Sequence, residues 1–172
     1  MLALLKLLQS IVSTLHSGGS PRQVAIGFAL GASLGLTPLM NVHNGVVVLL
    51  LCLLNVSFGA GLLAWAVFLP VGFMLDPLFD RVGHALLADT PSLAPLWTSW
   101  YNSAGVPWTN FNNTIVLGSV ICWLLLFVPI ALAVRWGIVH YRTTYAAAIE
   151  RSRFVRAVQA SKLYNVWSWF HP

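Results

Sequence analysis

The chain's strongest constraint is an apolar stretch broken in the middle. Residues Val24 to Leu36 and Gly45 to Leu54 are almost wholly apolar, but at 13 and 10 residues neither run spans a bilayer, which takes about 20 residues in a helix. Between them lies the polar, proline-containing sequence Thr37-Pro38-Leu39-Met40-Asn41-Val42-His43-Asn44. Non-helical backbone at membrane depth survives only where protein buries it or where it lines a cavity, because hydrocarbon offers no hydrogen-bond partners. The pattern therefore predicts two short helices meeting at a polar tip, a re-entrant or short broken hairpin over residues 21–54. Broken helices of this kind hold the binding groups of many transporters, which makes Thr37, Pro38, Asn41, His43 and Asn44 a candidate lipid- or solute-binding site.

Composition narrows the class. Of 172 residues, 58% are hydrophobic and 8% charged, against about 25% charged in a soluble domain. A soluble fold would have to hide more apolar surface than a chain of this length can bury, so an all-α membrane protein with a single membrane domain is expected. Cys52 and Cys122 both stand in apolar runs, where a free thiol behaves as a small hydrophobe; neither a disulfide nor a metal site is expected from them. The net charge of +5 is concentrated, since six of the nine Lys and Arg residues fall between Arg135 and Lys162. That asymmetry fits anionic lipid and topology signalling rather than nucleic acid.

The segment before the hairpin is read as an uncleaved amphipathic helix over residues 1–16. Leu4, Leu8, Ile11, Val12 and Leu15 share one side, Lys6 interrupts the apolar core that a signal peptide needs, and no small-residue cleavage pattern follows. Ser20 and Pro21 then have the residue types of a helix N-cap and first position. After the hairpin, residues 58–75 form an apolar run long enough to span, with Pro70 and Gly72 predicting a kink. Residues 76–113 are mixed and rich in Trp and Pro, as in a membrane–water interface. Asp76-Pro77 has the signature of a new helix start. Residues 114–134 form a second span. Residues 135–172 read as a basic amphipathic helix in which Arg142, Arg151, Arg153, Arg156 and Lys162 border an apolar stripe and contact anionic lipid. The charge excess after the second span places the C-terminus in the cytoplasm, and two spans plus a returning hairpin place the N-terminus there too.

Further polar groups have both a structural and a functional reading. Asp76, Asp80 and His84 share one helix face at i, i+4, i+8 and could form a polar relay, or could cap a helix and pair at the surface. Arg81 is the available cation beside them. Asn102, Asn110, Asn112 and Asn113 crowd the entry to the second span, as a hydrogen-bonded lid over the hairpin or as helix caps. Gly27, Gly31 and Gly35 recur every four residues, a spacing that lets helices approach closely. No Ser or Cys nucleophile stands in a recognisable catalytic setting, so the chain is not expected to be an enzyme, and neither metal nor cofactor is expected.

The motifs Pro21-x-x-x-Ala25-x-Gly27-x-Ala29-x-Gly31, Gly35-Leu36-Thr37-Pro38-Leu39 and His43-Asn44 resemble the core of a family of small bacterial inner-membrane proteins, domain of unknown function (DUF) 2062. Leu75-Asp76-Pro77-Leu78-Phe79-Asp80-Arg81-Val82-Gly83, Tyr101-Asn102 and Phe111 through Ser119 resemble one subgroup, whose members are encoded beside a large AsmA-like envelope protein. The resemblance implies an AsmA-like partner and a part in envelope lipid transport; it supplies no catalytic residues. The expected function is a non-enzymatic inner-membrane component that docks such a partner and helps load phospholipid. The alternative is a small ion or solute transporter with its site at the hairpin tip.

Overall fold

The computed structural model describes residues 19–145. The readings of an interfacial helix over 1–16 and of lipid contact by Arg151, Arg153, Arg156 and Lys162 lie outside the described residues. Among the described residues the regular structure is helical throughout: α1 Pro21–Leu36, α2 Val42–Leu53, α3 Phe58–Leu87, α4 Ala94–Tyr101 and α5 Thr114–His140, with 3₁₀ turns at Pro91–Leu93 and Val106–Thr109 and a π turn at Tyr141–Tyr145.

The first helix starts where its caps dictate. The Ser20 hydroxyl accepts from the Gln23 backbone N–H at 3.2 Å, and the Gln23 side chain accepts from the Ser20 N–H at 2.8 Å, a reciprocal capping box with Pro21 next to it. Gln23 also donates to the Asn55 side chain at 2.9 Å, tying the foot of α1 to the turn that ends the hairpin. Eleven of the sixteen residues of α1 are buried, so this short helix is the core of the molecule. Its main neighbour is α3. A methyl group at Gly31 would overlap the backbone of Gly61; the two helices touch backbone to backbone there, a closeness that only small residues permit. Gly27 lies against Ser57, Gly31 against Gly61 and Gly35 against Leu69, so residue numbers rise together and α1 and α3 run parallel. The intervening α2 carries the chain back. The third helix continues past α1 and then meets α5: Gly83 lies against Thr114, and Gly118 against Phe79, an antiparallel crossing. Lower down, the Trp123 indole N–H of α5 donates to the Ala29 carbonyl at 2.9 Å. Leu30, Leu34, Val47 and Leu51 form an apolar cluster, with Trp123 and Phe127 packed on it.

One expectation needs correcting. Asp76 does not start a helix: α3 runs unbroken for 30 residues with both Pro70 and Pro77 inside it. The local Asp-Pro signal is overridden because the helix on either side of it is held, by Gly72 against Gly35 and by Gly83 against Thr114. Each proline removes one backbone donor, a loss that packed neighbours make tolerable in membrane helices.

Two helices are long and apolar enough to cross a membrane: Phe58–Leu87, and the stretch Thr114–Thr144 that includes the π turn. Only 28% and 22% of their most apolar windows are buried. Core helices of a soluble protein would be mostly covered, so these exposed apolar faces point to lipid. The chain divides into two compact units at Arg135. In the second unit the Trp136 and His140 rings stack, 5.4 Å apart and 6° from parallel, and the π turn carrying Arg142 follows.

Candidate functional site at the hairpin tip

Between α1 and α2 the chain turns over Thr37–Asn41, and the turn is tied down from within. Thr37 and Asn44 are both buried. The Thr37 hydroxyl lies 2.8 Å from the Ser33 carbonyl and 2.8 Å from the Asn44 Oδ1; it has a single proton and donates to one of them at a time. The Asn44 amide donates to the Pro38 carbonyl at 2.8 Å and to the Leu39 carbonyl at 3.3 Å. These bonds satisfy the carbonyls of a turn that lies between apolar helices, the condition for such a turn to persist. Asn41 stands at the N-cap position of α2 without making a side-chain cap. Its amide donates to the Pro38 carbonyl at 2.7 Å, and its oxygen accepts from the Asn110 amide at 2.8 Å, across 69 residues of sequence. Asn110 reaches this position from a left-handed backbone, φ 56°, which Asn tolerates better than other non-glycine residues.

The tip forms one wall of a cavity of about 740 Å³, within the range of small-molecule sites, roughly 300–1,000 Å³. Leu69, Gly72, Phe73 and Asp76 of α3 form a second wall, and Asn110, Asn112, Asn113, Ile115 and Val116 a third. The structure thus brings together three groups that are far apart in sequence: the tip residues Thr37, Pro38 and Asn41, the carboxylate Asp76, and three of the four asparagines. Asn113 also caps α5, its side-chain oxygen accepting from the Val116 N–H at 3.2 Å.

Other expected members lie elsewhere. Asn44 belongs to the internal fabric of the turn. His43 is not part of the cavity wall; its Nε2 is buried with no partner among the described residues. Asp80 accepts from the Thr114 hydroxyl, and His84 faces Asp89 at 3.8 Å on the surface, so Asp76, Asp80 and His84 each have different surroundings. Arg81 and Asn102 are exposed and away from the cavity. Leu69 and Phe73, the apolar wall of α3, were not singled out from sequence, because an apolar residue in a spanning run gives no sign of which side it faces.

In the segment after α3, Trp97, Trp100 and Phe111 form an aromatic cluster with ring centroids 5.4–6.1 Å apart. The Trp97 indole donates to the Leu86 carbonyl at 2.9 Å, fastening the 88–113 segment to the end of α3.

Residues 6–146 match the family model described as "Uncharacterized protein conserved in bacteria (DUF2062)". The chain belongs to this family. It is also 25% identical over 140 residues to an "Uncharacterized protein" of Treponema pallidum (strain Nichols), a match covering 81% of this chain and 86% of that one. No solved structure matches the chain. The match to the DUF2062 family takes in all three walls of the cavity.

Proposed function

We propose that this DUF2062 protein is a non-enzymatic component of a bacterial inner-membrane system that moves phospholipid, and that the tip cavity holds the lipid as it is loaded or passed on. The observation that carries this reading is the two-sided chemistry of the cavity: Leu69, Phe73, Ile115 and Val116 on one part, and Thr37, Asn41, Asp76 and three further asparagines on another. An apolar wall with a few convergent polar groups suits an amphiphile.

Topology supports a location for the exchange. With the basic segment after α5 in the cytoplasm, the 88–113 segment faces the periplasm. The Asn41–Asn110 bond then favours a hairpin that enters from the cytoplasmic side and carries its tip to the periplasmic end of α5. The hairpin, at 16 residues in α1, is about 24 Å long, short of the roughly 30 Å hydrocarbon core, which would leave its tip within the outer-leaflet half of the membrane. Exposed Trp108 and Tyr101 on the same segment are suited to docking a periplasm-bridging partner, for which an AsmA-like envelope protein is the candidate. The test is transfer of labelled phospholipid from inner-membrane vesicles to the reconstituted partner, with and without this subunit. Faster transfer with the subunit is expected; equal rates would defeat the proposal.

The placement of Asp76 in the cavity favours the alternative, an ion or solute pathway, because ionisable groups at membrane depth mark such routes. Flux across liposomes containing this protein alone would select it.

A further inference from the structure

The charge inside the cavity is one-sided. Asp76 is the only charged residue on its wall among the described residues, and no Lys or Arg joins it. Asp76 is half-buried and has no hydrogen bond or ion pair among the described residues. Its neighbour Asp80, one turn on, has the Thr114 hydroxyl. A carboxylate on an apolar helix without a counter-charge is costly, and such groups are normally matched by a partner. The amides of Asn112 and Asn113 are donors on the wall of the same cavity, and Asn113 uses only its oxygen in capping α5.

We infer that the cavity selects an amphiphile whose headgroup bears a primary ammonium next to a phosphate, the chemistry of an ethanolamine-type phospholipid, with Asp76 as the counter-charge. This rests on the lipid-holding reading above and gives it a substrate class. An ammonium can donate up to three hydrogen bonds and would neutralise Asp76, while the phosphate oxygens accept from the Asn112 and Asn113 amides. A glycerol-type headgroup brings the phosphate without the ammonium and sets a second negative charge against Asp76. Like charges in a partly desolvated site repel.

The experiment uses the full-length protein in nanodiscs of equal parts ethanolamine-type and glycerol-type phospholipid with matched acyl chains. The protein is extracted into detergent, and retained lipid is identified by native mass spectrometry. Wild type should retain the ethanolamine lipid over the glycerol lipid by about tenfold, equivalent to about 1.4 kcal/mol. Asp76→Asn preserves side-chain shape and loses no native hydrogen bond, so it should still retain lipid but with near-equal proportions. Asp89→Asn, on the surface beside His84, should keep the full preference. Soluble phosphoethanolamine should not displace the lipid, because it lacks the chain that contacts Leu69 and Phe73; displacement would overturn the lipid assignment in favour of a water-soluble amine. Equal retention by wild type, or an undiminished preference in Asp76→Asn, would overturn the selectivity while leaving lipid holding intact. Retention of no lipid by wild type would overturn both.

Discussion

The two arms of the hairpin are alike in sequence character and opposite in structural role. Eleven of the sixteen residues of α1 are buried, whereas α2 buries only Asn44, Val47 and Leu51 of its twelve. Both are strongly apolar, so hydrophobicity does not decide which arm is central. Size does. α1 is built from Gly and Ala at close intervals and lets α3 approach to backbone contact, while α2 carries Val and Leu around most of its circumference and leaves Val46, Val48, Leu49 and Leu53 exposed. In water, apolar residues go inside; in lipid, where tails are as apolar as Leu, small residues do.

The sharpest way to break this comparison is Gly31→Leu. Two backbones would have to separate to admit the side chain, at about 3 kcal/mol or more, the upper part of the overpacking range. Thermal unfolding in detergent should show a large loss, and the same change at Gly45, where no atom lies within 4 Å of an added Cβ, should be far milder. Next in size is Asn44→Ala. It removes three hydrogen-bond contacts of a buried side chain, at about 1–3 kcal/mol, so yield of folded protein should fall in step with function. Asn110→Ala should cost less, about 0.5–1.5 kcal/mol, because its bond to Asn41 is exposed; here function should fall more than stability, since the cavity wall loosens while the helices stay packed. Leu53→Ala, on the exposed side of α2, should change stability by no more than about 0.5 kcal/mol. A loss there as large as that at Gly31 would mean that α2 is covered by something in the membrane.

Parts of this arrangement were legible beforehand. Ser20 and Pro21 mark the start of α1 by local chemistry alone, and the broken run itself marks the hairpin. Asp76-Pro77 misled, because a start signal is local while the continuity of α3 is enforced by Gly72 and Gly83 against other helices. The division of labour at the tip was not legible either. Thr37 and Asn44 hold the turn, while Asn41 links it to Asn110; residue type cannot separate those roles, since the deciding partner is remote in sequence. The cavity was half visible: its polar residues stand out against an apolar background, and its apolar wall of Leu69 and Phe73 does not.

The central claim is that the tip cavity holds lipid in a way the exposed helix faces do not. A photoreactive analogue at Leu69, half-buried on the cavity wall, can be compared with the same analogue at Val128, which is 58% exposed on α5. The protein is stripped of bulk lipid by extended detergent washing and then irradiated, and adducts are read by mass spectrometry. Phospholipid adducts at Leu69 with almost none at Val128 are the predicted result. Equal adducts at both positions, or none at Leu69, would contradict it.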